Sequence, residues 1–225
     1  MTLKNPGNPA LAGIKAALFA LLLIPAALMA QGWFADALGA NPVESIRRST
    51  GEWTLNLLLM TLAVTPLRRL TGLHWLLRLR RMLGLFTFAY ACLHLASYVW
   101  LDQWFDWGAI AEDILERPFI TVGFAAFVLM LPLAATSSNL AIRHLGGRRW
   151  QALHRSIYAI AIFSVLHYWW LVKADVSMPL AYTLVLAALL GVRGWWRELE
   201  RRRQLATAPA HLPQFKGKVI RIIPK

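Results

Sequence analysis

Apolar residues in this chain do not alternate with polar ones at helix or strand spacing. They fall in near-continuous runs at 14–33, 53–70, 82–101, 118–136, 151–172 and 178–196. Each run is about 18 to 22 residues, long enough as a helix to cross a hydrocarbon core of roughly 30 Å. A soluble helix would keep a polar stripe for water, and these runs keep none. The pattern predicts an all-α integral membrane protein, a bundle of about six transmembrane helices. Connections are short, so 1–204 reads as one membrane-embedded domain. The remainder, 205–225, reads as a short tail too small to fold alone.

Local signals refine this outline. Ser49 with Glu52 three residues later reads as a capping box opening the second helix. Gly146-Gly147 reads as a helix break before the fifth span, and Pro66 and Pro132 as tolerated prolines within spans. The segment 102–117 differs from its surroundings, because carboxylates alternate with Trp104, Phe105, Trp107 and Ile110. It reads as a short interfacial helix whose carboxylates, Glu112 and Asp113 among them, could steer a docking partner. Trp100, Trp150, Trp169, Trp170, Trp195 and Trp196 fall at span ends, where an aromatic belt is expected.

Charge then orients the bundle. The chain carries 24 Lys and Arg against 11 Asp and Glu, a formal net charge of +13. If the spans alternate in direction, all the basic residues except Arg47, Arg48, Arg117 and Lys173 fall on one side, accompanied only by Glu198 and Glu200. Positive charge marks the cytoplasmic face, so both termini are expected inside, in a bacterial inner membrane. The arginines are read as topology signals beside anionic membrane lipid, and nucleic acid is not an expected partner. Lys4 and Lys15 before the first apolar run loosely suggest a signal peptide, but the run is long enough to span and is read as a retained first helix.

Histidine supplies the candidate chemistry. His74, His144 and His211 fall in connections or the tail and read as solvated, whereas His94, His154 and His167 fall within spans. An ionisable side chain in hydrocarbon is costly enough to suggest function, and three on two helices point to a metal cofactor. Helices 3 and 5 run in the same direction, which puts His94 and His167 at one level in the outer half and His154 near the inner end. Two neutral imidazoles ligating one haem iron from opposite sides leave no position open for oxygen, which suits electron transfer. His154 lies thirteen residues before His167, roughly 20 Å along a helix, enough for a second haem. It also lies some 140° away around an ideal helix. The positions on helix 3 that would face it hold Arg80 and Arg81, so a second haem stays open. The single cysteine, Cys92, excludes covalent haem attachment through Cys-x-x-Cys-His, and two histidines fall short of the four ligands of structural zinc.

Three stretches carry a family resemblance: RRMLGLFTFAYACLHLASY at 80–98, RPFITVGFAAFVLMLPLAATS at 117–137 and RRWQALHRSIYAIAIFSVLHYWW at 148–170. They resemble the MsrQ (YedZ) family, the haem-binding membrane subunits of the periplasmic protein-methionine-sulfoxide reductase system, within the ferric-reductase-like transmembrane superfamily. The resemblance implies that the haem-associated histidines fall on His94, His154 and His167, and that the cofactors are haem b and FMN. It further implies electrons drawn from the quinone pool or a cytosolic flavin reductase. They would pass to a periplasmic, molybdenum-containing catalytic subunit that repairs oxidised methionines. Ferric reductases carry a flavin domain after the last helix, and here the sequence stops at Lys225, so the electrons are expected to come from elsewhere.

Two rival functions fit the same sequence. One is a self-contained haem-containing ferric or quinone reductase that needs no partner. The other is a small proton-coupled transporter with histidine relays, which should show broken helices and intramembrane carboxylates. No Asp or Glu falls deep in a run here.

Overall fold

The computed structural model describes residues 6–207, and the regular structure within them is entirely helical. The helices are α1 (Asn8–Phe34), α2 (Pro42–Thr71), α3 (Arg80–Ala96), α4 (Trp107–Glu116), α5 (Pro118–Ala135), α6 (Asn139–Leu145), α7 (Gly147–His154), α8 (Ile157–Leu171) and α9 (Ser177–Thr207). A 3-10 turn at His74–Arg78 leads into α3, and a π-helical turn at Ser97–Asp102 prolongs it. Residues 205–207 continue α9; the rest of the expected tail, His211 included, lies outside the described residues.

Four segments are long and apolar enough to cross a membrane: α1, α3 with its π turn, α5 and α9. The chain is an all-α, multi-pass membrane protein. The other two expected spans also fold as helices but are shorter in apolar length. Only 53–67 of α2 lies free of charge between Glu52 and Arg68, and α8 has 15 residues. Both are inner helices. Leu57, Leu58 and Leu62 of α2 and Ile160 and Ala161 of α8 have no exposed surface, so protein rather than lipid surrounds them. Leu21 and Leu28 of α1 and Leu184 of α9, by contrast, are exposed, as lipid-facing residues must be.

α2 lies closely along α3, and α5 along α8, while these two pairs meet each other more sparingly. Leu58, Leu62, Ala126, Met130, Ile160 and Val165 fill the space between the pairs, and Leu186 of α9 closes it. The end of the bundle carrying the arginines of 68–81, 143–155 and 193–203 is the basic end; the end carrying α4 is the acidic end.

Prolines disturb the hydrogen-bond ladder of a helix, and polar side chains from neighbouring helices insert beside them. Beside Pro25 of α1, the Tyr90 hydroxyl inserts into the backbone ladder, donating to Leu22 O at 2.8 Å and accepting from Ala26 N at 3.1 Å. Pro66 of α2 cannot donate to Leu62 O, and the Arg193 guanidinium of α9 does so instead.

Three expectations need correction. The second helix begins at Pro42 rather than near Ser49. Asn41 caps it, accepting from Glu44 N at 3.2 Å while its amide donates to the Glu44 carboxylate at 3.1 Å, and Pro42 follows at the first helical position. Ser49 and Glu52 lie inside the helix, where Glu52 pairs with Arg48. The fifth span is not one helix: a turn at Arg155-Ser156 separates α7 from α8. The third correction concerns the acidic segment. It does form a surface helix, α4, capped by Asp106, whose carboxylate accepts from Gly108 N and Ala109 N at 3.0 Å. Asp113, however, faces inward and is buried. It accepts from Tyr98 Oη at 2.7 Å and Gln103 Nε2 at 2.9 Å and pairs with Arg117 at 2.9 Å. Only Glu112 and Glu116 of α4 are both exposed and unpaired among the described residues.

Asp113 is thus a clamp that fastens α4 to the π turn. Tyr98→Phe removes a hydrogen bond to a buried carboxylate, and is expected to lower stability by about 1–3 kcal/mol. Arg117→Gln, on the exposed side of the same carboxylate, should cost under about 1 kcal/mol. Thermal unfolding of both variants in one detergent checks the order; an equal or reversed ranking would refute the clamp.

Candidate functional site

His94 sits in the last turn of α3, and its ring lies against the backbone of α2 at Gly51. Its Nδ1 is 2.9 Å from Arg47 O and 3.3 Å from Thr50 Oγ1. The Thr50 hydroxyl directs its own proton to Ile46 O at 2.7 Å. A carbonyl only accepts, so Nδ1 carries the proton and Nε2 keeps a lone pair. The close approach exists because residue 51 has no side chain. A Cβ there would stand 3.0 Å from His94 Cε1 and 3.2 Å from Nδ1.

His167 repeats the arrangement from the other pair of helices. It sits in the third turn of α8, against α5 at Gly123, and its Nδ1 donates to Phe119 O at 2.6 Å. In each case the accepting carbonyl lies four residues before the glycine, Arg47 before Gly51 and Phe119 before Gly123. Neither Nε2 has a hydrogen-bond partner among the described residues.

The two imidazoles face each other across the gap between the helix pairs, with ring centres 6.3 Å apart and planes at 78°. Two imidazoles that each hold a metal at about 2 Å from opposite sides would place their centres roughly 6 Å apart. The donor set is two neutral nitrogens with their second ring nitrogens already committed, the arrangement that orients histidine ligands and raises their basicity. No group of three or more His, Cys, Asp or Glu side chains able to hold a metal occurs among the described residues. An ion that takes all its ligands from side chains is therefore poorly served here. A metal held in the plane of a macrocycle, needing only two axial donors, fits.

His154 does not join the pair. It ends α7 at the basic end, its ring stacked on Trp150 with centres 4.0 Å apart. Its Nε2 is 3.0 Å from Thr136 Oγ1, whose proton goes to Pro132 O at 2.6 Å. The hydroxyl must then accept, so His154 carries its proton on Nε2, the opposite tautomer to the other two. Trp150 was expected in an aromatic belt, but its Nε1 donates to Thr136 O at 2.9 Å and it packs as part of this cluster. His74 and His144 are exposed, as expected.

Sequence reasoning missed Gly51, Gly123, Thr50 and the two carbonyls. The glycines alone left a trace in the sequence: each is a glycine within a helix, at the depth of a histidine on a neighbouring one.

Residues 50–165 match the family described as ferric reductase like transmembrane component. Among curated proteins, the chain is 62% identical over 200 residues to a protein of Azospira oryzae, covering 88% of this chain and 84% of that one. It is 50% identical to one from Herminiimonas arsenicoxydans, covering 91% and 94%, and 53% identical to one from Ralstonia nicotianae, covering 83% and 87%. All three are named protein-methionine-sulfoxide reductase heme-binding subunit MsrQ. No solved structure matches the chain. With half or more of its sequence shared with each of these relatives over nearly its full length, the chain belongs to the MsrQ family, within the ferric reductase-like transmembrane proteins.

Proposed function

We propose that this protein is a transmembrane electron carrier that holds b-type haem between His94 and His167 and serves a methionine-sulfoxide reductase catalytic subunit. The observation that carries the reading is the facing pair of imidazoles, 6.3 Å apart, each with Nδ1 bonded to a backbone carbonyl. The relatives' names, which specify heme binding, support it. Haem, when bound, supplies a one-electron iron couple. His94 and His167, each fixed in one tautomer by its backbone carbonyl, would hold that iron, and two such donors would leave no ready position for oxygen.

The basic end is cytoplasmic by the positive-inside rule, so both termini lie in the cytoplasm and the histidine pair lies toward the periplasmic face of the inner membrane. The catalytic subunit, a periplasmic molybdenum enzyme by the family resemblance, would dock at the acidic end. There Glu112 and Glu116 of α4, and Asp36 after α1, are exposed carboxylates free to steer it. Electrons would enter at the basic end from the quinone pool or a cytosolic flavin reductase, with FMN as a second cofactor by the same resemblance. A reduced-minus-oxidised spectrum of the purified protein tests the proposal: a low-spin b-type signal is expected, and protein folded without any haem band would overturn it.

His154 stands where electrons would enter. His154→Ala is expected to keep the outer low-spin haem signal and to slow reduction by quinol or reduced flavin several-fold. Wild-type reduction rates with both donors would leave His154 a structural histidine bonded to Thr136.

A further inference from the structure

Arg193 of α9 brings a positive charge into the basic half of the bundle, and nothing proposed above uses it. The residue is only 8% exposed. Its guanidinium donates to Leu62 O, the carbonyl left free by Pro66, and to Leu189 O at 3.3 Å. These bonds occupy two of its five N–H groups and neutralise none of its charge.

Its charged neighbours are cations. Arg197 lies one turn further along α9, and Arg80 starts α3 at the same end of the bundle. The guanidinium carbons of Arg193 and Arg197 each lie 5.8 Å from the centre of the Tyr158 ring of α8. That ring offers both a partial counter-charge. It is weak compensation, because like charges four residues apart on a helix repel, and more strongly away from water.

The carboxylates that could compensate are committed elsewhere. Glu198 pairs with Arg201 and Arg202, and Glu200 with Arg69. Neither 1–5 nor 208–225 contains Asp or Glu, so no further acidic side chain is available to this end. Buried charge without a partner is costly, and Arg193 carries it at an end of the bundle where Arg80 is half-buried and Arg197 exposed.

We infer that Arg193, Arg80 and Arg197, with the Tyr158 hydroxyl, form an oxyanion site at the basic end that takes a phosphate group. Guanidinium forks match the oxygens of phosphate, and three of them on two helices outnumber what a single carboxylate would need. The phosphate is either the headgroup of an anionic lipid or a soluble phosphate that reaches the same cluster from water. The site stands whether or not haem occupies the histidine pair.

The full-length protein, reconstituted with its cofactors in phosphatidylcholine nanodiscs, supplies the test. One arm adds inorganic phosphate against chloride at matched ionic strength; the other replaces part of the lipid with phosphatidylglycerol. Saturating ligand should raise the unfolding midpoint by about 2–4 °C in at least one arm. Arg80→Gln and Arg197→Gln should lose at least half of that shift while keeping wild-type helical content. A response to inorganic phosphate assigns a soluble ligand; a response to phosphatidylglycerol alone assigns a lipid headgroup. The proposal is overturned if the wild type responds in neither arm, or if the variants respond as strongly as the wild type. Variants that lose haem while keeping both responses would also overturn it, transferring the cluster to a cofactor carboxylate.

Discussion

His94→Ala is expected to lower the haem content of the purified protein about tenfold or more, and His167→Ala to do the same. Each substitution removes one of two opposed donors, and nothing nearby can replace it. The other polar groups beside His94 are the Thr50 hydroxyl, which bonds back into its own helix, and Arg47 O. Beside His167, Phe119 O is the acceptor, and a carbonyl is a poor iron donor compared with imidazole. Residual haem held by a single imidazole should show a five-coordinate, high-spin spectrum. The comparison should be made at equal helical content, since each variant also loses an interhelical hydrogen bond. Full occupancy with an unchanged low-spin spectrum in both variants would falsify the assignment.

The histidine pair was legible in the sequence because the membrane makes polar groups conspicuous. An imidazole in an apolar run has few structural excuses, and counting along two helices of the same direction placed His94 and His167 at one level. Their orientation was not legible. The groups that orient them are the carbonyls of Arg47 and Phe119, and a carbonyl leaves no mark in sequence because every residue has one. The placing of His154 meets a related limit. The offset of some 140° assumed a continuous helix, whereas the chain turns at Arg155-Ser156 with neither glycine nor proline to signal it.

The apolar runs located the helical spans but not their ends or the break in the fifth. α2 gains a first quarter from Pro42, because Asn41 and Pro42 start a helix where the hydrophobic signal is absent. In the acidic segment, composition could not tell Glu112 from Asp113. Helix phase does: Asp113 shares a face with buried Ile110, and Tyr98 and Gln103 wait beneath it. Within α4, any steering of a partner by carboxylates would therefore fall to Glu112 and Glu116 rather than Asp113.

Gly123→Ala should nearly match the loss of a ligand without touching one. A Cβ at 123 would stand 2.7 Å from His167 Nδ1, 2.8 Å from Cε1 and 3.1 Å from Cγ. The ring cannot move aside without giving up the bond from Nδ1 to Phe119 O, which comes from the same stretch of α5 that carries the new methyl. Displacing an orienting partner of a metal ligand typically lowers affinity by about 10–100-fold, and that range is expected for haem here. Gly51→Ala should be milder, since its nearest ring atom is at 3.0 Å and His94 Nε2 at 3.7 Å. Gly84→Ala is the control: its Cβ would meet only Thr61 Cγ2 at 3.9 Å, and alanine favours the helix by up to about 1 kcal/mol. Titration of haem into the three apoproteins, read from the low-spin absorbance, gives the order directly. Wild-type affinity in Gly123→Ala would mean that the ring does not rest on α5, and the geometry of the pair would have to be redrawn.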